Sequence, residues 1–202
     1  GLAGLERWAG TPGTVGGAVH GNAHFDGRLL GDMVTSVGLV DPTGAVRRVP
    51  GAEMGFGYDE SRVQHTGEFV LWAEFRVAPG EVRALRAAAR RSLAFRKRTQ
   101  PLNHPSAGCV FQNPRAEDGR LLDGVPRSAG VLIDRAGMKG HQVGGAAVST
   151  AHGNFIVNDG AATANDIRCL IELCRTAVEE RFGMTLRDEL IYLGEWPLSA
   201  TD

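Results

Sequence analysis

Ser106-Ala107-Gly108-Cys109-Val110-Phe111-Gln112-Asn113-Pro114 places a thiol directly after a glycine, at the start of a short apolar run that an amide and a proline close. A second unusual run, Gly10-Thr11-Pro12-Gly13-Thr14-Val15-Gly16-Gly17-Ala18-Val19, lies near the start of the chain. Glycines of this kind let backbone N–H groups close on an anion. Together the two runs indicate an enzyme that holds a phosphate-bearing ligand on backbone amides and gives a proton to a group beside it.

The bulk composition is that of a soluble globular protein. The chain has 202 residues, of which 43% are hydrophobic and 22% charged, and its net charge is −1. That charge provides no global attraction to nucleic acid or membrane, and no apolar run approaches the ~20 residues of a membrane span. Three cysteines without a regular framework indicate reduced thiols. We therefore expect a cytoplasmic monomer with neither a nucleic-acid nor a membrane partner.

The order of predicted elements favours the α+β class, because strands and helices mix without a regular βαβ alternation. The break at Pro79-Gly80 predicts a domain boundary, with one domain over residues 1–80 and another over 81–202. We predict strands over 33–40, 45–49, 69–77, 109–112, 146–150, 154–158 and 186–193, and helices over 81–98, 128–136 and 163–182. Thr163 and Asp166 form a capping-box pattern at the start of the last helix.

The helix over residues 81–98 carries an apolar stripe and a basic surface. Val82, Leu85, Ala89 and Leu93 recur at helical spacing. The same segment contains seven basic residues and one acid. The basic residues would suit phosphates or nucleic acid, but a solvated surface is the simpler interpretation.

The glycine-rich loop of residues 11–17 lacks both the Gly-Lys-Ser/Thr ending of a P-loop and the spacing of a Rossmann fingerprint. It is either a phosphate cradle or a tight turn between packed elements. His20 and His24 could share a helix face as metal ligands, but Gly16, Gly17 and Gly21 argue against a stable helix there. We therefore predict no metal site.

Cys109 and Glu189 are the candidate catalytic groups. Near an unperturbed pKa of ~8.5, a thiol is mainly neutral at pH 7, which suits a proton donor better than a nucleophile. A buried structural cysteine is the alternative. Glu189 lies within an apolar run, where an acid is costly to bury unless it is paired or used. The alternative for Glu189 is an edge strand that exposes it to solvent.

Several ordered motifs resemble bacterial UDP-N-acetylenolpyruvoylglucosamine reductase over nearly the whole chain. Ala9–Val19 with Asn22-Ala23 resembles the family's flavin-pyrophosphate loop, and Tyr58 with Ser61 matches its Tyr-Arg-x-Ser segment in part. The substrate-domain signature is resembled by Thr99-Gln100-Pro101 followed by Pro105–Pro114. Further matches follow in order at Ser128-Ala129-Gly130, Leu132-Ile133-Asp134, Ala136–Gly140, Gly144-Gly145-Ala146, Val148-Ser149, His152, Asn154–Asn158 and Glu189.

The resemblance implies a cytosolic, FAD-dependent and NADPH-using oxidoreductase of peptidoglycan precursor synthesis, and hence of cell wall biogenesis, cell shape and cell division. Such a flavoprotein reduces UDP-N-acetylglucosamine enolpyruvate to UDP-N-acetylmuramate. Hydride passes from NADPH through the flavin to C3 of the enolpyruvyl group, and a proton then reaches C2. The implied catalytic residues are Cys109 as proton donor, and Glu189 with an arginine near Tyr58 as stabilisers of the enolate-like intermediate. The implied cofactor-binding residues are Pro12, Gly13, Thr14, Val15, Gly16, Gly17 and Asn22, and the implied substrate-binding residues are Tyr58, Asn113 and Lys139.

Three departures from the family pattern bear on activity. The family's N-terminal flavin lobe, with its Gly-Ser-Asn loop, does not occur in these residues, so this chain alone is expected to be inactive. The motif arginine after Tyr58 is Asp59, and Arg62 is the candidate substitute. The usual Asn-Ala-Gly-Ala-Tyr-Gly reads Asn22-Ala23-His24-Phe25-Asp26-Gly27. The chain lacks the extra tyrosine loop of one subtype and so resembles the shorter subtype.

The leading hypothesis is therefore the FAD-dependent reductase, with residues 1–80 as part of the flavin-binding domain and 81–202 as the substrate-binding domain. The alternative is a degenerate nucleotide-sugar-binding homologue without turnover, which Asp59 favours and which Cys109 and Glu189 together oppose. A flavin oxidase of the broader fold family is the third interpretation, and the Cys109 motif disfavours it.

Overall fold

The chain forms two compact units, Gly1–Arg98 and Thr99–Asp202, in a computed structural model that describes residues 1–119 and 124–196. Each unit combines helices with small antiparallel sheets, so the predicted α+β class is confirmed. The sequence places its strongest break at Pro79-Gly80, whereas the structure assigns nearly all of the helix Val82–Thr99 to the first unit.

The first unit is built on a three-stranded antiparallel sheet. Its helices are Val15–His20, Val63–Thr66 and Val82–Thr99, and its strands are Leu2–Ala3, His24–Phe25, Arg28–Leu29, Val34–Val40, Val46–Pro50, Phe69–Phe75 and Ala78–Pro79. Single 3₁₀ turns lie at Glu6–Trp8, Leu30–Met33 and Gly51–Glu53. The strand Val34–Val40 is central and pairs with Val46–Pro50 and Phe69–Phe75.

The predicted hairpin at residues 33–49 is confirmed. The backbone carbonyl of Asp41 accepts from the N–H of Gly44. The side-chain carboxylate of Asp41 accepts from the N–H groups of Thr43 and Ala45. This turn brings the return strand into register, with Val37 opposite Val49. Val37 is fully buried, so the sheet supplies the core of the first unit.

The helix Val82–Thr99 buries polar side chains rather than the whole of its apolar stripe. Its first turn is capped by Glu81, whose carboxylate accepts from the N–H groups of Arg83 and Ala84. Val82 and Leu93 are exposed, whereas Ser92 and Arg96 are buried. The buried guanidinium of Arg96 is stabilised by two contacts. It donates to Thr11 Oγ1 at 2.7 Å and lies 4.3 Å from the centre of the Phe25 ring.

The second unit surrounds one long helix. Its helices are Ala129–Arg135 and Ala164–Phe182, its strands are Gln142–Val143, Ala146–Val148 and Ile156–Asn158, and a 3₁₀ turn lies at Ala116–Asp118. The capping box of Thr163 and Asp166 is present as predicted, and the helix ends at Gly183 in a left-handed conformation. Its inner face is buried at Leu170, Ile171, Cys174 and Val178.

The strands predicted over 109–112 and 186–193 do not form as continuous strands. Each segment makes only isolated bridges, which pair Cys109 with Phe155 and Phe111 with Asp188. A regular ladder requires several successive pairs, and here the middle segment changes partners after one. No helix among the described residues is long and apolar enough to span a membrane.

Candidate functional site

The glycine-rich loop ends in a short capped helix, Val15–His20. Thr14 Oγ1 accepts from the N–H of Gly17 at 3.0 Å, which offsets the weak helix propensity of the glycines. Gly16 and Gly17 therefore do not prevent a short helix, although it ends at His20 and does not reach His24. The N–H groups of Val15 and Gly16 lie in the first turn, where helices have no internal acceptor for them.

Space remains beside this loop. A side chain added at Gly13, whose φ is +102°, would meet no atom within 4 Å. At Gly16 the nearest atom would be Val70 Cβ, at 3.7 Å. The region of Pro12–Gly17 thus presents backbone donors next to open space, which is the arrangement expected of an anion cradle.

Asn22 is a structural clamp at the end of this segment. Its side chain is completely buried, and its backbone is left-handed, with φ +43°. Its amide donates to the carbonyl of Gly57 at 2.6 Å and accepts from the N–H of Gly31 at 2.7 Å. Asn22 therefore fixes the loop that carries Tyr58, rather than presenting a free amide.

Tyr58 lies beside His24 and Asp59. His24 Nδ1 is 3.0 Å from Asp59 Oδ1, and His24 Nε2 is 3.4 Å from the Tyr58 hydroxyl. The two rings have centroids 4.7 Å apart. His20 ends the short helix while His24 lies in a strand, so the two histidines do not share a helix face.

Arg62 is bound by a buried carboxylate of its own unit. Its Nε donates to Glu68 Oε2 at 2.9 Å, and Arg47 binds the other oxygen of Glu68. The hydroxyl of Thr66, followed by the two guanidinium groups, lowers the pKa of Glu68 to about 2 against the opposing effect of burial. The structure therefore pairs Arg62 with Glu68, whereas His24 contacts Asp59.

Replacing Glu68 with glutamine is expected to lower the free energy of unfolding by about 1–3 kcal/mol at pH 7, because buried charged hydrogen bonds are lost. The pKa of this carboxylate is depressed, so its ionised form stabilises the fold at every pH above the ordinary glutamate pKa of ~4.3. That contribution disappears as the pH falls towards about 2. Urea unfolding at several pH values measures this, and the difference between wild type and Glu68→Gln should shrink in acid.

Glu74→Gln is the matched control for this experiment, since Glu74 is about half exposed in its pair with Arg48. A difference for Glu68→Gln that stays constant down to pH 2, or one no larger than that for Glu74→Gln, would contradict the assignment.

In the second unit, Cys109 begins a segment held between two others. The N–H of Val110 donates to the carbonyl of Asn154 at 3.0 Å. On the other side, the N–H of Gln112 donates to the backbone carbonyl of Arg187 at 2.9 Å. The N–H of Glu189 donates to the backbone carbonyl of Val110 at 2.8 Å. The structure thus brings the predicted catalytic residues Cys109 and Glu189 onto neighbouring backbone segments.

Asn154 fixes the backbone of Phe111, a contact that the sequence does not predict. Its buried side chain accepts from the N–H of Phe111 at 2.9 Å and donates to the carbonyl of Phe111 at 2.7 Å. Both backbone groups of the residue two places after Cys109 are therefore satisfied by one amide. The available signal was an asparagine at the head of an apolar run, where a polar side chain needs partners.

Arg175 anchors the segment that carries Glu189. It donates to the carbonyl of Leu186 and to Asp188 Oδ1, the latter at 2.8 Å, and its guanidinium lies 5.5 Å from the Phe111 ring centre. The Tyr192 hydroxyl donates to Asp188 at 3.2 Å, and burial together with that carboxylate raises the pKa of Tyr192 to about 12. Glu189 is thus flanked by fixed contacts on both sides.

Asn113 and Lys139 both have structural partners. Asn113 Oδ1 accepts from the N–H of Ala129 at 3.1 Å and so caps the helix Ala129–Arg135, while the Ser128 side chain makes no capping bond. Lys139 Nζ lies 2.7 Å from Asp134 at the end of that helix. Burial, and secondarily the charge of Lys139, lowers the pKa of His152.

Comparison with solved structures defines the class of protein. The chain is similar to the crystal structure of UDP-N-acetylenolpyruvylglucosamine reductase from Thermus caldophilus, with a TM-score of 0.78 and 35% sequence identity. That match covers 94% of this chain and 64% of the other. The α+β fold of this chain is therefore similar to the fold of that structure. Within residues 1–119 and 124–196, no three His, Cys, Asp or Glu side chains are grouped so that they could hold a metal ion.

Sequence comparison finds similarity to the same kind of reductase. Residues 100–193 match the model of the UDP-N-acetylenolpyruvoylglucosamine reductase C-terminal domain. Reductases of this name from Trichormus variabilis and Halalkalibacterium halodurans are 41% and 38% identical over 97% and 96% of this chain. The chain spans 56% and 62% of the lengths of these two relatives. Residues 100–193 therefore match the C-terminal domain of this family, and the chain as a whole is similar to reductases of this name.

Proposed function

We propose that this chain is part of an FAD-dependent, NADPH-using reductase that converts UDP-N-acetylglucosamine enolpyruvate to UDP-N-acetylmuramate. The observation that carries the proposal is the segment of Cys109, which backbone bonds hold beside the segment of Glu189 within the domain that matches the reductase family. In this proposal residues 1–80 contribute to the flavin-binding domain and residues 81–202 bind substrate. The enzyme works as a cytoplasmic monomer in peptidoglycan precursor synthesis.

The residues of the glycine-rich loop fit the pyrophosphate of FAD. The first-turn N–H groups of Val15 and Gly16 are donors, and Gly13 leaves space that a side chain would occupy. A helix N-terminus also attracts negative charge. Pro12–Gly17 would hold the pyrophosphate, with Asn22 fixing the adjoining loop. When bound, FAD would supply hydride transfer from NADPH to C3 of the enolpyruvyl group.

The chain's own residues supply protonation and charge stabilisation. Cys109 gives its Sγ proton to C2 of the enolpyruvyl group after C3 has received hydride, so the product gains one hydride and one proton. Glu189 and a cation near Tyr58 stabilise the negative charge that develops on the carboxylate side. Arg62 is the cation expected from the sequence, and its pairing with Glu68 lessens its availability.

The proposed substrate contacts are Tyr58, Asn113 and Lys139. Asn113 Oδ1 accepts the N–H of Ala129, which fixes the position of this side chain at the start of the helix Ala129–Arg135. Lys139 can form a charged hydrogen bond to a phosphate or carboxylate, in competition with Asp134.

The second candidate is a nucleotide-sugar-binding homologue without turnover. Asp59 favours it, because a buried carboxylate stands where the family motif has an arginine. Its side chain is 7% exposed. A carboxylate beside an anionic substrate would disfavour the transition state unless a cation compensates it.

The test is the reaction of the complete polypeptide, purified with FAD, NADPH and UDP-N-acetylglucosamine enolpyruvate. We expect oxidation of NADPH only when the nucleotide sugar is present, and a product heavier by two hydrogens in mass spectrometry. Calorimetric binding of the nucleotide sugar without NADPH oxidation would establish the second candidate instead. Neither binding nor oxidation would reject both.

A further inference from the structure

The two sequence departures His24 and Asp59 contact each other. Asp59 Oδ1 lies 3.0 Å from His24 Nδ1, and the Asp59 side chain is almost fully buried. Asp59 adopts a left-handed backbone with φ +56°, a conformation that aspartate, asparagine and histidine adopt more often than other non-glycine residues. Its second oxygen, Oδ2, is buried without a hydrogen-bond partner among the described residues. A carboxylate in this setting needs a counter-charge, since burying an uncompensated charge is costly.

The counter-charge within contact of Asp59 is the imidazole of His24. The guanidinium groups of Arg62 and Arg47 are bound to Glu68. Gln64 reaches Asp59 but donates to its backbone carbonyl, so it adds no charge. Protonated His24 would give Asp59 a paired cation with both partners largely removed from water.

We propose that Asp59 holds His24 as an imidazolium, and that His24 together with the Tyr58 hydroxyl binds an anionic oxygen of the ligand. Nδ1–H of the ring donates to Asp59, which leaves Nε2–H on the side of the ring beside Tyr58. The Tyr58–Nε2 distance of 3.4 Å is at the long limit of a hydrogen bond, so a carboxylate or phosphate oxygen can compete for the same donors.

This inference rests on the proposed function, which supplies the class of ligand: a nucleotide sugar that carries phosphates and a carboxylate. Arg62, the candidate substitute for the motif arginine, is replaced in that role by His24. The difference matters because an arginine is charged at every physiological pH, whereas an imidazolium loses its proton near neutrality.

Two other acidic side chains on the elements around His24 have basic partners of their own. Asp26, in the turn after the strand His24–Phe25, is paired with Arg7 at 2.5 Å. Glu60, next to Asp59, is paired with His65 at 3.5 Å. On the opposing strand, Arg28 pairs in register with Phe25. The charge of the cluster therefore depends on the protonation of His24.

The kinetic test uses the complete polypeptide with FAD and NADPH, and UDP-N-acetylglucosamine enolpyruvate as the probe. His24→Gln and Asp59→Asn should each raise KM for the nucleotide sugar by about 10–100-fold at pH 6.5, which corresponds to a lost charged hydrogen bond. Wild-type KM should rise between about pH 6 and pH 8.5, whereas His24→Arg should show a flat profile. His65→Gln is the matched control, because His65 is exposed and pairs with Glu60.

A double variant tests the pairing itself. His24→Gly with Asp59→Arg restores the family residues at both positions, and we expect it to bind the nucleotide sugar with a KM that no longer depends on pH. Asp59→Arg alone would place a guanidinium against the His24 ring. Its KM for the nucleotide sugar should therefore be higher than that of the double variant. Equal KM for the single and double variants would contradict direct coupling.

A spectroscopic readout separates this inference from the proposed function. Nitrogen NMR of the His24 ring, recorded without substrate, should show both ring nitrogens protonated in wild type at pH 6.5, and deprotonation at lower pH in Asp59→Asn. A His24 ring that is neutral at pH 6.5 would overturn the inference even if the enzyme turns over. A wild type without turnover but with a charged His24 would overturn the proposed function while leaving the ion pair in place.

Discussion

Cys109→Ala is expected to slow the step that consumes the enolpyruvyl substrate by roughly 10²-fold or more, the effect typical of a lost general acid. Reduction of bound flavin by NADPH should stay near the wild-type rate, because Cys109 is proposed to act only on C2 of the substrate. Stopped-flow absorbance of the flavin in the complete polypeptide measures the two half-reactions separately. The same rate of substrate consumption in Cys109→Ala and wild type would make Cys109 a packing residue.

Cys109→Ser is the matched variant, since a hydroxyl can deliver a proton at the same position. It should retain much of the activity that Cys109→Ala loses. Cys174 provides a second control, because burial raises the pKa of its thiol to about 12 and it packs within the helix core. Cys174→Ala should change stability and leave the ratio of the two half-reactions as in wild type.

Asn154→Ala is expected to destabilise the second unit by about 2–4 kcal/mol, because the N–H and carbonyl of buried Phe111 both lose their partner. The substrate-consuming half-reaction should also slow, since the segment that begins with Cys109 loses its clamp. Denaturant unfolding and stopped-flow kinetics of the same preparation give both quantities.

Asn154→Asp distinguishes positioning from simple loss of packing. A carboxylate can accept from the N–H of Phe111 but cannot donate to its carbonyl, so the clamp is half retained. For Asn154→Asp we expect a rate of the substrate-consuming half-reaction between those of wild type and Asn154→Ala. Asn165 is exposed on the long helix, and Asn165→Ala should keep the wild-type rate and stability. Wild-type kinetics in Asn154→Ala, measured below its unfolding transition, would leave Asn154 a purely structural residue.

Local rules predicted those elements whose signals lie close together in sequence. The hairpin of residues 33–49 has its turn chemistry in Asp41-Pro42-Thr43-Gly44, and the last helix has its cap at Thr163 and its stop at Gly183. Asp26-Gly27 is a further local signal, because Asp-Gly favours a two-residue hairpin turn. In the structure both residues have positive φ, as such a turn requires.

The parts that sequence did not predict depend on distant partners. Gly16 and Gly17 disfavour the short helix Val15–His20, and the cap by Thr14 offsets part of that cost. The segment of Cys109 does not form a strand, because its neighbours change from Phe155 to Asp188 within two residues. Asn154, and the contact of His24 with Asp59, become visible only when residues far apart in sequence are brought together.

The pairing of Val110 with Glu189 also bears on how the protein is made. A ribosome delivers the segment of Cys109 long before the segment of Arg187–Glu189, so for that interval the edge beyond Phe111 has its backbone groups open. Exposed edges of this kind pair readily with other chains. We expect nascent chains stalled before residue 186 to need chaperone protection, and release of the last segment to end that need.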